Sequence, residues 1–461
     1  MHLFDYILHY ATEKNVRKAI SSGEREVNYY DLWQYISLNR SIMKKHGITE
    51  NDNIMILYED PIDWIVGFLS AMSLNCNVLP VDTGISQEKI NGLKTVLKDI
   101  KMLNNDNFSI SYKKNDGYYD FSDEIDEEKT CILHLTSGST SEPKLCQRTL
   151  KSLTVEGNSF KEALGITIDD IILGLPPLYH SYALGASLMT SLISGSQLIQ
   201  VKEFKPRNTL KLIINKNVTI MILVPLMAKV LSSIAIKMKS EKNKLRFAMS
   251  GAGKVDQEMF DMFYNAFGVD LLCNYGSTET GGLITRVESK YIGSLGKPMP
   301  GVEIKIKNNS GNKAAVDEQG EMWVKSNEIM KSYYGKESPF DDNGFYPTGD
   351  IVYQNAEGYI FLVGRKKNVV KIGGKTVDLS TIRETLLSMK GVSECAVFAV
   401  EKNDSIHVKA VINSVSEYSK EEVIAYCKQK IDKYHVPHEV IFSDELRKNS
   451  IGKLDVSKFI S

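Results

Sequence analysis

The sequence predicts an α/β protein with two further, smaller parts, and three observations carry that prediction. From about Asn53 to Gly276 short apolar runs alternate with longer amphipathic ones; past Gly293 the long helical patterns stop; after Arg365 strands and helices mix again. In the first stretch Ile54–Tyr58, Val78–Val81, Thr130–Leu135, Ile171–Leu175, Gln197–Val201, Val218–Val224, Arg246–Ser250 and Val269–Asn274 read as strands, being short, β-branched or fully apolar, and bounded by turn residues. Helical patterns over Asp63–Ser73, Gly185–Ile193, Leu226–Met238 and Val255–Phe267 lie between them. Such alternation implies right-handed crossovers and one largely parallel sheet, or two. Val302–Lys307, Glu321–Lys325 and Tyr359–Val363, joined by Gly, Asn and Asp turns, predict a small antiparallel sheet or barrel. Val369–Ile372, Ala396–Val400 and Val408–Ile412 as strands, with helices over Leu379–Met389 and Glu421–Ile431, predict a separate α+β unit.

Composition narrows the class. The chain has 461 residues, a formal net charge of -1, 43% hydrophobic and 25% charged residues, which is soluble globular material with room for two or three cores. The balanced charge gives no general attraction to nucleic acid or to a membrane surface. No apolar run approaches the ~20 residues that span a bilayer, and the N-terminal MHLFDYILHYATEKNVRK lacks the apolar core of a signal peptide. Six cysteines are scattered without a CxxC pair, so a reducing, cytoplasmic setting is expected rather than a disulfide or zinc framework.

Four segments carry chemistry. Thr136-Ser137-Gly138-Ser139-Thr140-Ser141-Glu142-Pro143-Lys144 follows an apolar strand; hydroxyl and N–H donors around a glycine, with a lysine, suit a compact anion, although no GK[ST] closes it and the run also fits a solvent loop. Asn274-Tyr275-Gly276-Ser277-Thr278-Glu279 ends another strand, where open α/β sheets place ligands; an aromatic before glycine lets a flat ring approach the backbone, and a hydroxyl beside a carboxylate suits a phosphate with its magnesium. Thr348-Gly349-Asp350 followed by Gly364-Arg365 offers a carboxylate for ribose hydroxyls and an arginine fork beside it. Ser450-Ile451-Gly452-Lys453 places a lysine next to a glycine near the C-terminus. The densest basic cluster, Arg365, Lys366, Lys367, Lys371 and Lys375, also fits a solvated turn.

Taken together and in order, these segments closely resemble the adenylate-forming superfamily of acyl- and aryl-CoA synthetases, luciferases and nonribosomal-peptide adenylation domains, closest in character to the acyl/aryl-CoA ligases. The resemblance runs through TSGSTSEPK, SGAG (Ser250–Gly253), NYGSTE, YPTGD (Tyr346–Asp350), GRKKNVVKIGGKTV (Gly364–Val377) and NSIGKL (Asn449–Leu454), nearly the whole chain. It implies a large N-terminal domain of two mostly parallel α/β sheets with a small β-barrel-like subdomain over residues 1–363, a hinge at 364–367, and a mobile α+β lid over 368–461. It implies an AMP-forming acid–thiol ligase: ATP and Mg²⁺ activate a small-molecule carboxylic acid, and the acyl group passes to coenzyme A or to the phosphopantetheine arm of an acyl or aryl carrier protein.

The same resemblance implies roles. Thr136, Ser137, Ser139, Thr140 and Lys144, around Gly138, would hold the β- and γ-phosphates. Tyr275 would stack on adenine, flanked by Ala252 and Gly253, with Asn274 and Gly276 in the same segment. Thr278 would touch the α-phosphate and Glu279 would ligate Mg²⁺. Asp350 would bind the ribose beside Arg365, and Lys371 belongs to the same nucleotide-side basic cluster. Lys453 would bridge carboxylate and α-phosphate, Lys367 would be the hinge, and Gly374 would let a pantetheine arm pass. Departures from the family pattern are Ser141 and Leu145 where glycine is usual, Thr381 for a glutamate, Val456 for an arginine, and a shorter stretch around Asp82–Asp126.

Pro176–Gly185 resembles the PLFH segment of acyl- and aryl-CoA ligases. It lacks the aspartate that binds an α-amino group, which argues against an amino-acid substrate. His180 would sit beside the carboxylate or gate the thiol tunnel, or simply pack at a strand end. Gly281 and Gly282 would widen the acyl pocket or permit a turn.

Overall fold

The computed structural model describes residues 1–461 except 13–16, 114–119, 137–143, 239–242, 287, 289, 373–374, 403–404, 445, 447–458 and 460–461. The chain forms two compact units, one of Met1–Ile304, Val324–Tyr346 and Gly358–Ile360, the other of Lys305–Trp323, Pro347–Glu357 and Phe361–Ser461.

The first unit holds two sheets. The larger has nine strands, ordered edge to edge Lys297–Pro298, Gly281–Arg286, Leu271–Ser277, Phe247–Ser250, Ile220–Leu223, Ile171–Gly174, Gln197–Gln200, Lys18–Ser22 and Arg25–Asn28. Its interior is parallel from Leu271–Ser277 through Lys18–Ser22, and antiparallel strands close both edges. The smaller has six strands, ordered Ser332–Tyr333, Lys144–Thr149, Cys131–Thr136, Asn77–Pro80, Asn53–Ile56 and Ile100–Leu103. The expected parallel strands are present within three residues of their read bounds. The antiparallel hairpin that Lys144–Thr149 makes with Cys131–Thr136 was not read from sequence. The interior strands are buried on both faces, as at Ile54, Val78, Ile132 and Ile220 on one side and Met55, Leu79, Leu133 and Met221 on the other, which is why they read as continuous apolar runs rather than alternating ones.

Local chemistry sets the helix starts. Asp60 caps Pro61–Met72, its carboxylate accepting from the N–H groups of Ile62 and Asp63, with Pro61 in the first turn. Thr149 caps Leu150–Leu164 by accepting from Ser152 N–H, and Gly165, at φ 58°, ends that helix in the left-handed region. Residues 181–194 form one helical run whose middle, Leu184–Met189, widens to π geometry, a local change that recurs near functional sites.

A buried polar cluster sits under this architecture. Arg148 and Glu156 form an ion pair at 2.9 Å with side chains 0% and 1% exposed. Arg148 also donates from Nε and Nη2 to the Glu328 carbonyl, and the second Glu156 oxygen accepts from Gly282 N–H at 2.8 Å. The Ser159 hydroxyl donates to Oε1 of Glu328, whose Oε2 has no partner among the described residues. Burial first, then the Glu156 charge, pushes the Glu328 carboxyl up to about 8, against the pull of Ser159 and Arg148.

A four-stranded sheet ordered Glu303–Lys307, Gly320–Lys325, Tyr346–Gln354 and Ile360–Arg365 has most of its residues in the second unit. The third of these strands was not read from sequence. Beyond it lie the hairpin Val369–Ile372 with Lys375–Asp378 and a three-stranded sheet of Val392–Lys402, Ser405–Ser414 and Glu439–Phe442. Helices Leu379–Leu387 and Lys420–Lys430 pack on it through Ile382, Leu386, Val423 and Cys427. Ser419 and Glu422 complete a reciprocal capping box at the second helix.

The Glu328 proton has a consequence for stability. The unfolded chain releases it near the ordinary 4.5, whereas the folded protein holds it to about 8. Between those values the native state binds more protons, so this group makes stability fall as pH rises through the window. Glu328→Gln keeps the shape without the titration. Urea melts at stepped pH should show a flatter alkaline decline for the variant; parallel decline in both proteins would place the buried proton elsewhere.

Candidate active site

The site in the first unit is built from the ends of three strands. Leu271–Ser277 pairs antiparallel with Gly281–Arg286, with a bulge between Tyr275 and Gly276. The connection is a tight turn in which Ser277 N–H donates to Thr280 Oγ1 at 2.9 Å and Thr280 N–H to Ser277 O at 3.2 Å. Gly276 faces Gly282 so closely that a Cβ on it would lie 2.0 Å from the Gly281 carbonyl oxygen; no side chain fits there. Gly281 has φ +67°, and a Cβ on Gly282 would lie 2.4 Å from the Phe160 ring. The two glycines therefore let this strand lie against helix Leu150–Leu164, and they also line the cavity.

That cavity is about 270 Å³, and His180, Ser181, Thr278, Asn274, Ala252 and Glu156 are among its walls. Ser181 Oγ lies 3.4 Å from Thr278 Oγ1, which brings the PLYHSYALG and NYGSTE segments together. Tyr182 donates to the Met249 carbonyl at 2.9 Å, and Gly251 is pressed on its ring. Ala252 adopts φ 57°, a left-handed conformation that costs a non-glycine residue about 1–2 kcal/mol. Gly253 follows it, with Pro225 where a side chain would go. Tyr275 is half-buried opposite Ile284. Asn274 is buried and donates to the Ile284 carbonyl at 3.2 Å, so it fixes the hairpin.

His180 follows strand Ile171–Gly174 at the mouth of the cavity, its ring 4.6 Å from that of Tyr179. Tyr179 donates to Asp82 at 2.8 Å. The ring reaches solvent, yet the atoms crowded around it lower its pKa, with Asp82 pulling the other way. A neutral imidazole at neutral pH orients or relays rather than supplying positive charge.

Glu279 and Lys144 converge on Tyr333. The Tyr333 hydroxyl donates to Glu279 Oε1 at 2.9 Å and lies 3.2 Å from the Tyr346 hydroxyl. The Lys144 ammonium sits 5.1 Å above the Tyr333 ring, within cation–π range. Tyr333 is in place because Ser332–Tyr333 pairs with Lys144–Thr149, Tyr333 opposite Cys146. Burial, then Tyr346 and Glu279, raise its pKa, so it stays protonated and remains a donor. Sequence reading missed Tyr333, Glu156 and Arg148; each acts through a partner remote along the chain, and no local pattern marks them. Thr136 faces Lys144 across the hairpin and its hydroxyl donates to the Lys144 carbonyl at 3.3 Å. Leu145, at a position where glycine is usual, is buried beside Leu133 and Leu79.

A single carboxylate braced by a tyrosine fits Mg²⁺, which binds through one or two carboxylates together with substrate phosphates. No group of three or more His, Cys, Asp or Glu able to hold a metal by itself occurs among the described residues.

In the second unit Asp350 is 1% exposed and pairs with Arg365 Nε at 2.8 Å. Arg365 Nη1 donates to the Thr348 carbonyl and Thr348 Oγ1 accepts from Asp350 N–H. Gly349, at φ +71°, makes the bend between them. Arg365, Thr348, Gly349, Lys366 and Lys367 line a cavity of about 390 Å³. Lys371 donates to Thr376 Oγ1 on its own hairpin. Ser137, Gly138, Ser139, Thr140, Ser141, Gly374, Lys453 and Val456 lie outside the described residues.

Among the described residues no helix is long and apolar enough to cross a membrane. The 2-succinylbenzoate–CoA ligase of Lactococcus lactis is 26% identical over 422 residues, covering 88% of this chain and 90% of that protein. Long-chain-fatty-acid–CoA ligase FadD13 of Mycobacterium tuberculosis is 26% identical over 330 residues, 69% of this chain and 65% of that protein. The structure of O-succinylbenzoate coenzyme A synthetase from Bacillus subtilis with ATP and magnesium superposes with a TM-score of 0.83 at 23% identity, covering 99% of this chain and 98% of that one, a likeness of fold. The model for AMP-binding enzymes matches residues 8–334 and that for the AMP-binding enzyme C-terminal domain matches 382–453. The chain belongs to the AMP-binding enzyme family.

Proposed function

We propose that this protein is an AMP-forming acid–thiol ligase. It activates a carboxylic acid with ATP as an acyl-adenylate, releases pyrophosphate, and passes the acyl group to coenzyme A. The observation that carries this reading is the convergence of Lys144 and Glu279 on Tyr333, in the same unit as the cavity lined by His180, Ser181 and Thr278. A cation, a braced carboxylate and a hydroxyl are what in-line displacement at an α-phosphorus asks of a protein, since such chemistry is mostly positioning and electrostatics.

The residues divide the work. Thr278 and Ser181 hold the α-phosphate and the acid's carboxylate, and Lys144 with Thr136 and the 137–143 segment holds the departing phosphates. Tyr275, flanked by Ala252 and Gly253, takes the adenine, and Asp350 with Arg365 takes the ribose. Tyr333 aims the Glu279 carboxylate, which would hold Mg²⁺; the ion would supply charge neutralisation at the phosphates. Lys453 supplies the second cation at the reacting carboxylate. No side-chain nucleophile is needed. Neutral His180 orients the carboxylate or the incoming thiol. The domain reading is a core over 1–363, a hinge at 364–367 and a lid over 368–461 that brings Lys453 to the first step and Gly374 to the second. Coenzyme A is the acceptor favoured by the named relatives, which are CoA ligases; a carrier-protein arm is the second reading. Six free, buried cysteines support a reducing, cytoplasmic setting.

Three measurements test this. Tyr333→Phe removes the brace from Glu279; outer-shell losses typically cost about 10–100-fold in metal affinity or activity. The Mg²⁺ concentration for half-maximal ATP–pyrophosphate exchange should rise by that order, and an unchanged Mg²⁺ dependence would move the metal ligand away from Glu279. Asp350→Ala removes a hydrogen bond to a charged group worth about 1.5–3 kcal/mol; calorimetry should show weaker ATP and AMP, and equal affinity in a folded variant would sink the ribose assignment. Lys453→Ala should cut adenylate formation about 10²–10³-fold while sparing thioester formation from supplied acyl-adenylate, and Gly374→Trp should do the reverse. Equal loss of both half-reactions in both variants would refute the alternating lid.

A further inference from the structure

Thr278 and Glu279 are adjacent and half-buried in the turn that joins Leu271–Ser277 to Gly281–Arg286. A turn lacks the ladder of hydrogen bonds that holds a strand, so its backbone is the more mobile part of a hairpin. The inner side of this turn is closed by Ser277 and Thr280. Its outer side is reached from strand Lys144–Thr149 and the segment beside that strand. Met330 N–H donates to the Glu279 carbonyl at 2.7 Å, and the Tyr333 hydroxyl donates to Glu279 Oε1 at 2.9 Å. The third contact comes from a side chain to which the proposed reaction gives no role: the Cys146 thiol donates to the Thr278 carbonyl at 3.2 Å.

Cys146 is wholly buried, opposite Tyr333 across one strand pair and opposite His134 across the other. It therefore acts on the turn through backbone, from behind. Burial, followed by the Glu279 charge, raises its pKa, so the thiol keeps its proton and remains a donor. Met330 Sδ, 3.6 Å away, is a second acceptor within reach. A thioether accepts only weakly, and the carbonyl is nearer. A peptide is planar, so holding its carbonyl oxygen orients the whole link from Thr278 to Glu279. That orientation sets the direction in which Glu279 leaves the link. It also sets the Thr278 backbone whose hydroxyl stands 3.4 Å from that of Ser181.

We propose that Cys146 is a positioning residue for the first half-reaction: its thiol fixes the Thr278–Glu279 peptide and, through it, the aim of the hydroxyl and the carboxylate. This rests on the ligase reading above, in which Thr278 meets the α-phosphate and Glu279 the metal.

The test compares Cys146→Ala with Cys146→Ser in the full chain. Calorimetry of ATP binding with Mg²⁺ and with EDTA gives the factor by which the metal tightens ATP. Cys146→Ala should cut that factor about three- to tenfold, the range for one neutral hydrogen bond. It should raise by a similar ratio the Mg²⁺ concentration for half-maximal ATP–pyrophosphate exchange. Affinity in EDTA, where Glu279 has no metal to hold, should fall less. Cys146→Ser keeps a donor and should recover most of the loss. If Cys146→Ala fails to fold, Cys146→Val, which fills the space without a donor, reads the same factor. An unchanged metal factor in a folded variant overturns the proposal. So does a Cys146→Ser variant that loses as much as Cys146→Ala, or an equal loss of ATP affinity with and without Mg²⁺, which is general loosening. Each of these leaves the ligase reading standing. Absence of exchange by the wild-type protein with every acid tried overturns the ligase reading and the proposal with it.

Discussion

An arginine that is wholly shut away from water needs a partner, and here much of the first unit is arranged around meeting that need. Arg148 sits on strand Lys144–Thr149, its partner Glu156 two turns along the following helix. Removing one member of such a buried pair costs about 3–5 kcal/mol, because the other is left charged and alone. Arg148 also holds the Glu328 carbonyl, and Glu156 holds Gly282 N–H. One strand, one helix, the return strand of the 271–286 hairpin and the segment carrying Glu328 are thereby fixed to one another. The cavity wall and the Ser277–Thr280 turn inherit their positions from this arrangement.

Tyr333 shows how the same geometry reaches the chemistry. It joins the six-stranded sheet as a two-residue edge strand beside Lys144–Thr149, the strand that carries Arg148. Its hydroxyl meets Glu279, and Lys144 rides above its ring. A lysine that follows the hydroxyl-rich segment in sequence and a glutamate from the far hairpin are thus referred to one rigid ring. The hydroxyl is kept protonated by burial and its neighbours, so it remains a donor to the Glu279 carboxylate.

Electrostatics in the two units follow different rules. In the first, the buried Arg148 is balanced by Glu156, and Glu328 carries a proton into the neutral range. His180 is held neutral at the cavity mouth. In the second, Asp350 is buried while Arg365 stays half-exposed. A carboxylate sunk beneath a half-exposed cationic fork suits a polar ligand that arrives from solvent and shares the arginine's place on it.

What was legible in the sequence is what local order writes. Buried parallel strands appear as apolar runs because both faces are covered, and Ile54, Val78, Ile132, Ile172 and Ile220 are all buried as those runs require. Glycine at 276, 281 and 282 and the hydroxyls beside it mark a turn where backbone must pass backbone. The ordered motifs were enough to identify the family without any distance. Antiparallel additions were less legible: the hairpin at Lys144–Thr149 and strand Tyr346–Gln354 carry polar and turn residues that a local pattern assigns to loops. Only tertiary structure could bring Glu156 to the cavity, because a glutamate at mid-helix is ordinarily a solvent residue. Its burial depends on Arg148 eight positions away and on Gly282 at a separation of 126. The same holds for Tyr333, 54 positions from the carboxylate it steadies. Sequence determined the reaction class, because that depends on which functional groups are present and in what order. The shape and polarity of the pocket that chooses the acid depend on packing between segments far apart in the chain, and those only the fold brings together.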